Sequence, residues 1–134
     1  MLAAGEDRMA AKVTSLVNQA TSAKTETDAF KALESLGAAG VPYIVAHLGD
    51  VRPLPVQAMS LENKSPDAFE GLRHYGPKVV HDALSAILNQ ITGESFEFVY
   101  NGASVEARQR DAKAWRAWCA KEYPQQATVC ERGI

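Results

Sequence analysis

Apolar residues recur at three- and four-residue steps through most of this chain, the spacing that gathers side chains on one face of an α-helix. Met9, Val13, Leu16, Val17 and Ala20 form the first stripe. Phe30, Leu33 and Leu36 form a second, with Thr27 suited to cap that helix, Asp28 to its first turn and Gly37 to its end. Gly37-Ala38-Ala39-Gly40 then leads into Val41-Pro42, proline being suited to a first helical turn. Val41, Ile44, Val45 and Leu48 line a third stripe, closed by Gly49. Two short amphipathic helices joined by such a turn predict an antiparallel helical hairpin over 27–49.

The strongest stripe is Val80, Leu84, Ile87, Leu88 and Ile91, opened by Pro77 and ended by Gly93, which predicts a helix over 77–93. Ser104 caps a final helix over 104–122, with Val105, Arg108, Asp111, Trp115 and Trp118 near one side and Glu106 placed to complement its dipole. Tyr123 precedes Pro124 and ends it. Two stretches break the helical period. Over 50–65, Pro53 and Pro55 exclude regular helix, so 51–58 reads as extended or irregular. Ser65-Pro66-Asp67 then signals a short helix anchored by Phe69 and Leu72 and ending near Gly76. Phe96, Phe98 and Tyr100 alternate with Glu97 and Val99 ahead of Asn101-Gly102, a strand-like stretch and a turn. The expected fold class is all-α: one domain over 1–134, a compact bundle of antiparallel helical hairpins with irregular loops.

Composition narrows the classes of function. Of the 134 residues 62 are hydrophobic and 22 of these are alanine, which leaves enough larger side chains for one core with close helix packing. Fourteen basic residues against 16 acidic ones give a net charge of -2, so no long basic face awaits nucleic acid. No run of about 18 apolar residues is present to span a membrane. The opening Met-Leu-Ala-Ala-Gly-Glu-Asp-Arg has neither a basic start nor an apolar run, and reads as cytoplasmic unless a signal peptide has been removed.

Cys119 and Cys130 fit neither a redox Cys-x-x-Cys pair nor a four-ligand zinc site. A disulfide between them would close a loop of about a dozen residues, stabilise by roughly 2–3 kcal/mol, pin the tail to the last helix and place the protein in an oxidising compartment such as the periplasm. The alternative is two thiols in a reducing cytosol, with Cys119 packed in its helix.

The stretch 28–49, Asp28-AFKALESLGAAGVPYIVAHL-Gly49, resembles a HEAT-type repeat, in which a first helix ends at glycine and a Gly/Ala turn leads into a second begun by Val-Pro. A second block, Asp82-ALSAILNQITGESF-Glu97 followed by Arg108 and Trp115-Arg-Ala-Trp118, resembles the terminal module of bacterial HEAT-like proteins. Together the blocks cover about half the chain. A regular array would place another helix pair directly after Gly49, where this chain has irregular residues instead. Repeats also need neighbours to bury their faces, so a compact bundle is expected rather than an extended solenoid. The resemblance implies binding of other proteins rather than catalysis.

Candidate chemistry is sparse. His47, His74 and His81 form no His-x-x-x-His pair, and Pro77 separates the last two, so no metal site is assigned. No nucleophile elbow, phosphate-binding loop or dinucleotide fingerprint occurs, and no cofactor is expected. Glu94, Glu97, Asp50 and Asp67 have no spacing that pairs them as acid and base. Trp115 and Trp118 read as core or as a partner's anchor, core being favoured by Ala114 and Ala117 beside them. Long irregular segments are uncommon in compact domains and often functional. Antiparallel alternation is expected to bring the 50–65 loop and the 93–103 loop to one end of the bundle, where Asp50, Arg52, Gln57, Met59, Glu94 and Phe98 would contact another protein. The expected function is therefore non-catalytic protein binding, in its narrower form a bacterial inhibitor or immunity protein. The alternatives are a HEAT-type adaptor, favoured by unburied Val13, Leu16 and Val17, and a small enzyme, favoured by a deep pocket gathering His74, His81 and an acid.

Overall fold

The computed structural model describes residues 4–63 and 71–132. Six α-helices are present among them: α1 (Ala4–Gln19), α2 (Glu26–Ser35), α3 (Val41–Ala46), α4 (Val80–Thr92), α5 (Val105–Glu122) and α6 (Ala127–Arg132). Short 3-10 turns occupy Gly37–Gly40 and Pro124–Gln126, and two strands, β1 (Met59–Glu62) and β2 (Leu72–Tyr75), lie between α3 and α4. The chain is thus mainly helical with a small two-stranded sheet. Among the described residues no helix is long and apolar enough to cross a membrane.

The core is organised around α3. Every residue from Val41 to Ala46 is buried, as expected of a helix that is apolar on all sides. It packs against α1, α4, α5 and α6. On α1, Val13, Val17 and Ala20 are buried and Leu16 is half-buried. From α2 come Ala29, Phe30 and Leu33, and this helix leans on α1 and α4. The two helices of the expected hairpin over 27–49 are therefore present, but their main packing partners are other elements. Burial of Ile44 or Leu48 contributes roughly 2–3 kcal/mol each by area.

Helix starts differ from expectation where a backbone donor finds a nearer partner. The N–H of Glu26 donates to the Ser22 carbonyl, so α2 begins there and Thr27 lies inside the first turn instead of capping it. Pro77 does not open α4; 77–79 is extended, and the helix starts at Val80. The Asp82 carboxylate accepts the Lys78 and Val79 N–H groups at 3.1 and 3.3 Å, satisfying donors that the helix leaves free. Arg108 of α5 grips the same carboxylate through two bonds of 2.8 and 2.9 Å. Gly93, at φ +80°, takes the left-handed conformation that closes α4, a position where other residues are strained. Ser104 caps α5 by accepting the Ala107 N–H, as expected.

The described part of the expected 50–65 loop, residues 50–63, proves to be one arm of an antiparallel ribbon. At its base the Arg52 carbonyl accepts the Val80 N–H and the Leu54 N–H donates to Lys78, both at 3.0 Å, with Pro53 opposite Val79. Pro53 occupies the site in this pairing whose N–H would point outward, so it costs no ladder bond. Farther out, β1 and β2 pair with Met59 opposite Tyr75 and Glu62 opposite Leu72. The expected short helix ending near Gly76 is corrected: its last part, Leu72–Tyr75, is strand β2, because Leu72 and His74 face out while Arg73 and Tyr75 face in, a period of two. Its start, Ser65-Pro66-Asp67 and Phe69, lies outside the described residues. Over 96–100 the expected strand-like stretch forms no strand; Val99 and Tyr100 are buried while Phe96 and Phe98 are exposed.

Cys119 of α5 and Cys130 of α6 are disulfide-bonded, with their Cα atoms 5.7 Å apart. The bond fastens α6 against α3 and α5 and so pins the tail, which is itself helical over Ala127–Arg132.

Candidate functional site

Chemistry-bearing residues converge in the interior at Asp111. Its Oδ2 accepts hydrogen bonds from His81 Nε2 at 2.9 Å and Ser85 Oγ at 2.7 Å, and its Oδ1 accepts the Glu97 N–H at 3.1 Å. Ser85 Oγ in turn accepts from Trp115 Nε1, and His81 Nδ1 accepts the Gly49 N–H at 2.9 Å. With Nδ1 an acceptor, the ring hydrogen sits on Nε2. A serine, a histidine and an aspartate thus meet, but not as a nucleophilic triad. In such a triad the hydroxyl donates to the imidazole, and the serine faces a substrate. Here the hydroxyl donates to the carboxylate, and all three residues are fully buried. The arrangement ties α4, α5, the end of α3 and the 93–103 loop together, and each polar atom in it has a partner.

His74 is far from this cluster in role and setting: it is exposed on β2 and bonds its cross-strand neighbour Ser60 at 2.9 Å. The pocket that would have gathered His74, His81 and an acid is not formed by these residues, since His81 is sealed in the core. His47 is buried and bonded to Thr14 Oγ1 at 3.0 Å. Among the described residues no group of three or more His, Cys, Asp or Glu is placed to hold a metal ion.

The surface carries a different signal. The large hydrophobic side chains exposed among the described residues are Val51, Val56, Leu72, Phe96, Phe98 and Val105. All lie on the ribbon arms or between Phe96 and the first residue of α5; none lies on α1 to α4. Between α2 and the ribbon runs a groove of about 510 Å³, whose walls include Phe30, Lys31, Glu34, Val56, Leu72 and His74. Tyr75, also on this groove, meets Phe98 of the 93–103 loop edge-on with ring centroids 6.3 Å apart.

That loop is held firmly. Asn89 donates to the Glu94 carbonyl, Asp111 takes the Glu97 N–H, Arg110 pairs with the Glu97 side chain at 2.7 Å, and Asn101 accepts the Gly76 N–H. Arg73 bonds Asn89, Gln90 and the Tyr75 hydroxyl and lies over the Tyr75 ring, coupling ribbon to loop. Phe98, 69% exposed, is therefore an apolar side chain on a braced backbone, ready to bind with little ordering cost.

The six residues expected to contact a partner are distributed unevenly. Asp50 and Arg52 form an ion pair at the ribbon's base, and Arg52 also reaches Asn18 on α1. Burial works against the Asp50 carboxylate, but the hydrogen bonds and charge of Arg52 outweigh it and hold its pKa below the ordinary value. Gln57 is exposed in the middle of the arm. Met59 is only 7% exposed and belongs to the core. Glu94 stands beyond the other end of α4, about 20 Å of helix from Asp50 and Arg52, whereas the loop then returns along α4 and brings Phe98 against Tyr75. Val56, Leu72 and Tyr75 were not anticipated, and the signal for the last two was the alternation Leu-Arg-His-Tyr. Glu26 was also missed: it is fully buried, one oxygen accepts the Val56 N–H at 3.0 Å, and burial pushes its pKa up against that bond.

No protein family, curated protein or solved structure matches this chain.

Proposed function

We propose that this chain is a non-catalytic module that binds another protein through the ribbon groove and the 93–103 loop. The observation that carries the reading is that, among the described residues, the exposed large apolar side chains lie on the ribbon arms or between Phe96 and Val105, on a helical body whose own stripes are buried. His81, Ser85 and Asp111, which among the described residues bring together residue types suited to a nucleophilic triad, are buried away from any substrate, in keeping with a binding role. Buried Val13 and Val17 leave α1 without a free stripe for an array neighbour, which favours a self-contained binder over an adaptor segment. In its narrower form the module is an inhibitor of the immunity-protein kind, covering a partner's working surface with a rigid loop. The disulfide suits an oxidising compartment, the periplasm in a bacterial setting.

The test is site-specific photo-crosslinking in the native host, with benzoylphenylalanine at 72 or 98 and, as a control, at 12 on α1. Positions 72 and 98 are expected to yield the same discrete adduct and position 12 none. Adducts from position 12 alone would place the interface elsewhere and overturn the reading.

A further inference from the structure

Resting on the protein-binding reading, we propose that β2 takes up an extended segment of the partner polypeptide as a third strand, with alternate side chains entering the groove beside α2. The register shows which backbone groups are free. Asn63 N–H donates to the Gly71 carbonyl, so the pairs that exchange hydrogen bonds are those at 59 and 75 and at 61 and 73. Ser60 and Glu62 on β1, and Leu72 and His74 on β2, then direct their backbone groups outward. On β1 this edge is partly covered, since the Gln90 side chain donates to the Glu62 carbonyl. On β2 no hydrogen bond from any described residue reaches the backbone N–H or C=O of Leu72 or His74.

An open edge states the chemistry of its occupant. Donors and acceptors that alternate along a line match only the backbone of another extended chain; a helix uses its own backbone groups internally and a compact ligand lacks the spacing. Side-chain selectivity is supplied next to the same residues. Leu72, 48% exposed, shares the groove with Val56 and Phe30, and its volume of about 510 Å³ is within the range of ligand sites. Tyr75 and Phe98 offer aromatic faces at the strand's end. Lys31 and Glu34 supply a polar rim. Natural edges are commonly blunted by proline, a bulge or a covering element. Among the described residues the device at Leu72–Tyr75 is shortness, which limits uncontrolled pairing and still permits a few ladder bonds to a specific segment.

The probe is a dodecapeptide selected from a random phage-displayed library on the full chain, then synthesised and measured by fluorescence anisotropy. The expected consensus has apolar residues at every second position. Single N-methylation along the peptide is expected to cost tenfold or more in affinity at alternate residues and little between them. His74→Pro removes an outward N–H while leaving the ladder to β1 intact, and is expected to bind at least tenfold more weakly than His74→Ala, which trims the same groove-wall side chain but keeps the N–H, with similar melting temperatures for the two. If His74→Pro fails to fold, the N-methyl pattern alone decides. An apolar spacing of three and four, an N-methyl profile without alternation, equal binding by His74→Pro and His74→Ala, or no selected peptide would each overturn strand addition. So would a dimer in sedimentation that His74→Pro dissociates, because a second copy would then occupy the edge. Failure of the broader reading shows differently, as absence of crosslinks from positions 72 and 98.

Discussion

Asp111→Ala should destabilise the fold by about 3–5 kcal/mol without touching its surface. The carboxylate receives three buried donors, from His81, Ser85 and the Glu97 backbone. A buried donor left unpaired costs roughly 1–3 kcal/mol, so three orphans bracket about 3–9 kcal/mol. The upper part of that range is not expected, because the Ser85 hydroxyl can rotate, the Glu97 segment can reach water, and deleting a buried charge removes its own desolvation cost. Against a typical total of roughly 5–15 kcal/mol the loss is severe, and at about 3–5 °C per kcal/mol for this size it lowers Tm by about 10–20 °C. Urea unfolding followed by circular dichroism and by tryptophan fluorescence measures it, with Trp115 reporting from the cluster itself. Asp111→Asn, which keeps one acceptor, should lose about half as much. As a control, Arg110→Ala removes only an exposed pair and should change stability by less than about 1 kcal/mol. Loss of under 1 kcal/mol for Asp111→Ala would refute the assignment of this cluster as the tie between α4, α5 and the loop.

Further outcomes follow from single groups. Replacing Cys119 and Cys130 together by alanine should cost about 2–3 kcal/mol by chain entropy and raise amide exchange in α6 before any other helix. Glu26 has a folded pKa raised above its unfolded value of about 4.3, so its favourable contribution is present below that value and is lost as pH rises through the folded pKa. Glu26→Gln should therefore gain stability over the original chain between pH 4 and pH 7, read as a growing difference in urea midpoint; a constant difference would contradict this. The Tyr100 phenol is pushed up to about 12, first by burial and then by the charge of Asp111, and its hydroxyl lacks a partner among the described residues. Stability from keeping it neutral is complete below about pH 10 and lost as pH rises towards 12. Tyr100→Phe should abolish the last step of phenolate absorbance and be neutral or stabilising by up to about 1 kcal/mol at pH 7.

What the sequence made legible follows from local physics. The stripe on α4, the Ser104 cap and the Gly93 stop each depend on residues within a turn or two, and they emerge within a few residues of expectation. The disulfide needed only two cysteines and no competing ligand set. The ribbon was harder to read because its pairing joins residues up to 31 apart, as from His81 to Asp50, and its two prolines resemble loop punctuation although Pro53 sits where no ladder bond is lost. The strand at Leu72–Tyr75 reads as helix in the sequence because a helix-start signal lies just upstream and only four residues display the period of two. The Asp111 cluster draws from the turn after α3, from α4 and α5 and from a loop, so nothing at any one position announces it. Phe98 was singled out with Glu94, whereas Met59 on a buried strand face had the same apolar look as its exposed neighbours.

The central claim is that the ribbon groove and the braced loop form the binding surface. It is tested most directly by titrating the crosslinked partner, once purified, against Phe98→Ala and Leu72→Ser in calorimetry. Each substitution should weaken binding at least tenfold, about 1.4 kcal/mol or more, while melting temperature stays within a few degrees of the original. Unchanged affinity in both, alongside loss of binding on substitution of an exposed residue of α1 such as Lys12, would contradict the account.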